Sequence, residues 1–486
     1  NNPDVVSGLT GKVSGLNIKQ VGNGVNGGNR ITLRGARSIS GNNEALVVID
    51  GAISTAEFLS TIDPNTIESI NIIKGANGAA LYGSQGSNGA IIVSTKRGTK
   101  DGKMRINVKS SIDFESVAYV PERQTRYGQG WSVVSGFENI TYENGGWGAE
   151  FDGQMTPIGL PQEDGSYIMA PYSSRGADHI KDFFKTGVTQ QNSVNISSGD
   201  EDGYVFFSAQ NQDTEFVIEN DKLKKSTFNF KGGKTLGKWS VSGNATYSYR
   251  ATEESYTSAT DGLFGDLLQT ASNIPIEQFA NSGNEGHWNA YYLNPYWIRD
   301  NKRREIDGNR FNLLGEIKYQ VNDNISAIVR TNALFNFTDQ LTYNNGYTEP
   351  TAITSLTGSD RSEAASYSRA MTKYQKYYTD AILSFNYDLN EDFVLDAQVG
   401  LNNQYLKTSN IGVGGIGLTV PGLYATDNLT GEFNQATTFD TQAESTRYGV
   451  YGQANLGYKD YLFLNVTGRN DWTSTLDRSN NSFFYP

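Results

Sequence analysis

The sequence predicts a membrane all-β fold, an antiparallel transmembrane β-barrel with a small α/β domain at its N-terminal end. Three observations predict it. The first is composition: 28 Tyr, 23 Phe and 6 Trp stand beside 53 Gly and only 11 Pro in 486 residues, with hydrophobic residues at 37%. That mixture suits strands, tight turns and interfacial aromatic bands. The second is long period-2 alternation of apolar and polar residues from about residue 103 onward. The third is a regular alternation of short and long connections between those strands.

No stretch approaches the roughly 18 uninterrupted apolar residues of a membrane-spanning helix. This excludes a helical membrane protein but not a barrel, whose strands alternate lipid-facing and lumen-facing side chains and so keep hydropathy low. The absence of cysteine rules out disulfides, thiolate metal sites and a cysteine nucleophile, without identifying a compartment. A net charge of -12, with 40 basic residues scattered among 52 acidic ones, argues against nucleic acid as a partner. The acidity read alone means solubility. The chain starts at Asn1 without a charged-then-apolar leader, so the expectation is a removed signal peptide, an internal start, or both.

Residues 1–102 read as the α/β domain. Short apolar runs at Gly15 to Ile18, Ile31 to Leu33, Leu46 to Ile49, Ile67 to Ile73 and Ala90 to Ser94 are separated by Gly and Asn. Asp63 before Pro64 has the pattern of an N-cap followed by proline at the first helical position. The helix it starts must be short, because β-branched Ile70, Ile72 and Ile73 follow directly as a strand.

Residues 103–486 read as barrel wall. Phe311, Leu313, Gly315, Ile317 and Tyr319 fall on one face and Asn312, Glu316, Lys318 and Gln320 on the other; Asn322-Asp323-Asn324 then turns the chain. The same hairpin form recurs around Asn390-Glu391-Asp392 and Lys459-Asp460. About eleven strands are expected, near 104–115, 188–198, 204–214, 223–232, 239–250, 308–320, 325–338, 377–388, 393–408, 444–458 and 461–473. Crossing a bilayer at a tilt takes about 9 to 11 residues, which these reach. Connections near 199–203, 233–238, 321–324, 389–392 and 459–460 are short, whereas 116–187, 251–307, 339–376 and 409–443 are long; only 215–222 breaks the parity. Membrane barrels keep short periplasmic turns and long outer loops. A soluble β-solenoid would show a fixed repeat, and none is visible.

Several segments carry a family resemblance. They are Gly11-Lys-Val-Ser-Gly-Leu-Asn-Ile18, Arg30-Ile-Thr-Leu-Arg-Gly35 leading to Ser38-Ile39, Leu46-Val-Val-Ile-Asp-Gly51, and Ile62 through Lys74 followed by Ala80-Leu-Tyr-Gly83 and Asn88 through Lys96. Far downstream stand Gly468-Arg-Asn-Asp-Trp472, Ser474-Thr-Leu476 and Phe483-Phe-Tyr-Pro486. In order and spacing they resemble the plug and a barrel motif of TonB-dependent outer-membrane transporters, specifically the SusC-like (SusC/RagA) branch. The resemblance implies a barrel of about 22 strands with the plug in its lumen, of which about half lies in this chain. It places the protein in the bacterial outer membrane, among membrane lipid. It further implies TonB-dependent import of a large nutrient, with TonB and its inner-membrane energising complex and a SusD-like surface lipoprotein as partners. An oligosaccharide is the expected substrate and an oligopeptide the close alternative. A siderophore or vitamin receptor, and a non-transporting surface barrel, are the rivals; the SusC-like segments argue against the former and the plug against the latter. The TonB-contacting segment is expected before Asn1.

Site candidates follow from residue type. Arg34 and Arg37 are expected to anchor the plug, through bidentate bonds to inward acids such as Glu316 and Asp396, or else to be solvated or to hold the plug together. Trp131, Tyr142, Trp147, Tyr291, Tyr292 and Trp297 lie in outer loops among Asn, Gln, Asp and Gly, a setting that suits sugar rings, although interfacial aromatic bands use the same residues. No catalytic residue, cofactor or metal is expected: His179 and His287 are far apart, and Gly22 to Gly28 lacks the spacing of a phosphate-binding loop. Leu383, Phe385, Leu395, Val399, Val450 and Leu464 are expected to form part of an outward apolar belt.

Overall fold

A computed structural model describes residues 5–21, 24–25, 27–39, 41–75, 77–99, 101–133, 136–137, 141–162, 164–256, 262–281, 288–431, 434–459 and 461–485. His287, and part of the Gly22 to Gly28 segment, lie outside them.

The plug begins with helix α1 (Val5–Gly8) and the hairpin β1 (Leu16–Val21) and β2 (Gly28–Leu33). Next come β3 (Leu46–Ile49), β4 (Ala52–Ile53), α2 (Ala56–Leu59), β5 (Ile67–Ile73), α3 (Asn77–Tyr82) and β6 (Ala90–Thr95). Strands β4-β3-β6-β5 form one sheet, in which β3 and β6 run parallel and the other pairs antiparallel. Leu46 to Ile49 are all buried, which is why that run is continuously apolar rather than alternating. Thr55 caps α2 by accepting from Phe58 N, and the Asp63 carboxylate accepts from Asn65 N at the start of the one-turn helix Pro64–Thr66, as its sequence requires. Val47, Ile49, Phe58, Leu59, Ile91 and Val93 make the small core.

The wall starts at β7 (Arg105–Glu115). In the first outer loop two short pairs follow, β8 (Ser132–Val133) with β9 (Gly136–Phe137) and β10 (Met155–Ile158) with β11 (Ile168–Pro171). The wall resumes with β12 (Gly187–Gly199), β13 (Gly203–Glu215), β14 (Lys222–Leu236), β15 (Trp239–Ser255), β16 (Lys302–Gln320) and β17 (Ile325–Asn344). It ends with β18 (Ser366–Asp388), β19 (Phe393–Ile416), β20 (Phe439–Tyr458), β21 (Leu462–Thr473) and β22 (Ser482–Tyr485). Strand β7 and strands β12 to β22 form one 12-stranded antiparallel sheet in simple chain order, part of a β-barrel wrapped around the plug.

Along the central wall strands one face is exposed and the other turned to the plug. On β18, Tyr377 and Leu383 are 41% and 46% exposed, whereas Lys376, Tyr378 and Asp380, on the opposite face, are buried. Leu383 pairs with Val399, Leu401 with Val450 and Leu456 with Leu464, so the apolar face runs continuously from strand to strand. Phe385 and Leu395 share it by parity. Aromatics band this face at two levels. Trp239 meets Tyr319 at 4.5 Å, and Phe393 meets Tyr458 at 4.8 Å, near the short turns. Tyr247 meets Phe311 at 4.7 Å, and Tyr377 meets Tyr405 at 6.2 Å, farther up.

The structure departs from the sequence expectation in three respects. Strands β15 to β20 run beyond their expected outer ends, as at Ser366 on β18 and Ile416 on β19, because apolar residues there are sparse and interrupted by Gly, Ser and charged residues, which breaks the period-2 signal. A twelfth strand, β22, is only four residues long and too short to read as alternation. The long outer loops are also not open. Helices α4 (Leu263–Leu268) and α5 (Pro295–Asn301) pack with Ile158, Ile180, Phe183, Phe279 and Trp288 into a second hydrophobic core, a cap at the outer end of the wall strands.

Candidate functional site

Two places in the described residues combine buried polar chemistry with a functional location: the contact between plug and wall, and a cleft in the cap.

At the first, the connection from β3 to β4 is the two-residue turn Asp50-Gly51, with φ of 48° and 83°. Both residues are left-handed, the type I′ geometry that joins antiparallel strands with their natural twist and that favours Asp-Gly. The turn tip is held by three wall strands. Lys231 Nζ of β14 donates to the Asp50 carboxylate at 3.0 Å and to Thr95 Oγ1 at 2.8 Å. Asn244 Nδ2 of β15 reaches the same carboxylate at 3.1 Å, and Arg330 of β17 donates to Gly51 O at 3.0 Å. Thr95 completes the set by donating its N–H (2.9 Å) and hydroxyl (2.6 Å) to Asp50. The Lys231 and Asp50 side chains are only 7% and 11% exposed.

Further grips surround this one. Arg310 pairs with Glu57 at 2.5 Å and donates to Glu57 O at 3.0 Å. Lys225 and Thr227 donate to the carbonyls of Ser60 and Thr61, each at 3.1 Å. Below α3, Arg469 and Asp471 of β21 point inward, bonded to each other at 2.7 Å, with Arg469 also donating to Asn402 at 3.0 Å. Gly83 of the plug lies so close to Asp471 that a side chain there would displace its carboxylate. The alternating Gly468-Arg-Asn-Asp-Trp472 motif thus has a structural reading: Arg469 and Asp471 face the plug, while Trp472 stacks on Tyr448 at 5.2 Å on the outer face.

Arg34 and Arg37 take no part in these contacts, and Arg37 instead helps to hold the plug together, the alternative the sequence leaves open. Arg34 and Arg37 are exposed; Arg37 donates to Ser87 O inside the plug, and no ion pair of either with a wall acid occurs among the described residues. Glu316 is paired with Arg330 at 2.7 Å, and Asp396 accepts from Asn386 on the neighbouring strand. Among the described residues, the ion pairs between plug and wall join plug carboxylates to wall cations. The signal for Asp50 was present, an Asp-Gly between apolar runs, but the hairpin pattern does not say which wall residue the tip meets.

Gly51→Ala is expected to destabilise the plug by about 1–2 kcal/mol through the left-handed backbone alone, and the new methyl would also displace the Arg330 guanidinium. A lowered denaturant midpoint measures this; an unchanged midpoint would mean that the turn relaxes without cost.

The second place is a cleft of ≈ 380 Å³ in the cap, lined by Arg123, Trp131, Asn144, Trp147, Gln269 and Ser272 among others. Trp131 lies against Gly145, where a Cβ would stand 2.5 Å from its ring, and donates Nε1 to Glu143 at 2.9 Å. Tyr291 donates its hydroxyl to the other oxygen of that carboxylate at 3.0 Å. Trp131, Trp147 and Tyr291 are 47%, 54% and 51% exposed. Asn144 Nδ2 bonds Gln269 Oε1 at 2.6 Å and staples the two sides of the cleft.

Of the six aromatic candidates, the structure therefore brings Trp131, Trp147 and Tyr291 together. Tyr142 and Tyr292 are half-buried and contribute backbone carbonyls, to Ala290 N at 2.8 Å and to Arg361 at 2.7 Å. Trp297 is corrected: it lies on α5 in the cap core, 6% exposed and edge-on to Tyr347 at 5.8 Å, where a substrate cannot reach it.

His179 is 3% exposed beneath this cleft. Burial, and then the charge of Arg123, push it down to about 4 from an ordinary value of 6.5. Below pH 6.5 the unfolded chain takes up a proton that the folded cap refuses. Stability is thus fully present above that pH and is lost as the pH falls toward 4, at about 1.4 kcal/mol per unit. Cap unfolding, followed by Trp fluorescence, should show this slope, and His179→Gln should flatten it. A native profile without slope in that window would contradict the assignment.

Comparison with known proteins places these features. The family described as TonB-dependent Receptor Plug Domain matches residues 2–90. TonB-dependent receptor P26 of Formosa agariphila is 24% identical over 98% of this chain and 46% of its own length. TonB-dependent receptor SusC of Bacteroides thetaiotaomicron is 31% identical over 39% of this chain and 17% of its own length. The solved RagAB peptide transporter has the same fold, with a TM-score of 0.76 at 15% identity over 100% of this chain and 55% of that one. The chain spans about half the length of the full-span curated relatives it matches. With a matching plug domain over residues 2–90 and a wall clasped around it, the chain is similar to the SusC-like TonB-dependent receptors.

Proposed function

We propose that the complete protein imports a large nutrient, an oligosaccharide, across the bacterial outer membrane in a TonB-dependent manner, together with a SusD-like lipoprotein. The observation that carries the reading is the plug seated by polar contacts inside a wall whose outer face is apolar and banded by aromatics at two levels. An apolar exterior with a gripped, polar-faced body in the lumen suits a gated membrane pore and has no use in a soluble protein or an adhesin. The division into plug (1–102) and wall (103–486) belongs to this proposal.

The substrate class rests on the cap cleft. Indole faces suit the apolar faces of sugar rings, and the neighbouring amides and hydroxyls suit ring hydroxyls. Import of oligopeptides is the second reading, favoured by the fold shared with the RagAB peptide transporter. The test is purification from outer membranes in mild detergent, with mass spectrometry of co-purified protein and small molecules. A SusD-like lipoprotein with a retained glycan is the expected result. A retained peptide would replace the substrate class, and a lone barrel carrying a ferric siderophore would overturn the reading.

A further inference from the structure

Arg123 lines the cleft of Trp131 and Trp147, yet its Nε and Nη2 are sealed from solvent without a hydrogen-bond acceptor, and its guanidinium forms no ion pair among the described residues. Its backbone N–H is bonded to Ala177 O at 2.8 Å, so the residue is fixed in place. Ser272, 2% exposed and lining the same cleft, likewise has a hydroxyl without a partner. The nearby acids do not neutralise the charge: Glu122 is exposed at the cleft, and the Glu143 carboxylate is taken by Trp131 and Tyr291. The other arginines of the cap region show the contrast. Arg361 is paired with Glu349, Arg303 with Asp221, and Arg299 with Glu219 and Asp300. A half-buried cation without a counter-charge is costly, and an anion supplied from outside removes the cost.

Resting on the importer reading, we propose that this cleft binds an oligosaccharide bearing an anionic substituent, a carboxylate or a sulfate ester. Arg123 and Ser272 take the anionic group while Trp131 and Trp147 take the ring faces. A guanidinium fork accepts either anion in the same bidentate manner. The apolar ring contacts set affinity for the chain, and the guanidinium sets the preference for charge.

The test uses the protein expressed from its complete reading frame, in detergent, with Trp fluorescence and calorimetry. The probes are an oligogalacturonate, a sulfated neutral oligosaccharide, an uncharged oligosaccharide of equal length, and an oligopeptide with a free C-terminus. The expected result is binding of one or both anionic sugars at least about tenfold tighter than the neutral one. Arg123→Gln should abolish that preference and Arg123→Lys keep part of it, whereas Trp131→Ala should weaken charged and neutral sugars alike. Circular dichroism and thermal melts establish that each variant is folded. Equal binding of charged and neutral sugars, or a preference unchanged in folded Arg123→Gln, overturns the inference. So does binding of the peptide alone. If no probe binds while the lipoprotein still co-purifies, the cleft assignment fails and the importer reading stands.

Discussion

Lys231→Met is expected to destabilise the seated plug by about 3–5 kcal/mol, because it leaves the Asp50 carboxylate buried without its counter-charge. Thr95 and Asn244 would still donate to it, but neither carries charge. Because the pair spans plug and wall, the loss should appear as a plug that unseats before the wall unfolds. Limited proteolysis of the complete protein should cut between residues 5 and 98 in the variant and spare that segment in the parent. The double variant Asp50→Asn with Lys231→Met removes both charges and should recover most of the stability, since replacing a buried pair by neutral groups is often nearly free. A single variant as protease-resistant as the parent would show that Lys231 contributes nothing to seating.

The second large effect concerns the outer face. Arg at Leu383, Val399 or Val450 is expected to cost about 2–4 kcal/mol if these sites lie near mid-depth in lipid. The three are 46%, 52% and 42% exposed, so in water alone such substitutions would stay within about 0.5 kcal/mol. The gap between those values makes the experiment a test of the membrane assignment. Unfolding of the complete protein from lipid vesicles measures it, and tolerance at most of the three positions would show that this face does not meet lipid.

What the sequence disclosed follows from where a physical signal was local. Strand positions were legible wherever one face is apolar: Phe311 to Tyr319 could be placed on the outer face by alternation alone, and the register pairs confirm that Phe311 faces Tyr247 and Phe335. The signal ends where apolar residues become sparse among Gly, Ser and charged residues, so the outer ends of β18 and β19 look like loop in sequence. The cap core was hidden for a different reason. Ile158, Phe183, Ile218, Leu267, Phe279 and Trp288 are dispersed over three stretches of chain without period, and only their packing reveals them as one core. Trp297 was misplaced by the same blindness, since an aromatic among polar residues reads alike whether it faces a substrate or a core.

The plug contacts show a further limit. The inward face of β14 carries Lys225, Thr227, Asn229 and Lys231, but long-range pairing is not written in any local pattern. Arginine chemistry points to Arg34 and Arg37, whereas the plug charges that meet wall cations are Glu57 and Asp50, the latter on a turn whose two left-handed residues aim the carboxylate toward Thr95 and Lys231. An Asp-Gly pair between buried apolar strands was the available clue.

The central claim is a wall whose lumen is closed by a seated plug, and ion conductance in planar bilayers tests it most directly. The complete protein should conduct little, and deletion of residues 5–98 should open a large, steady conductance. A parent that already conducts as well as the deletion would contradict the account.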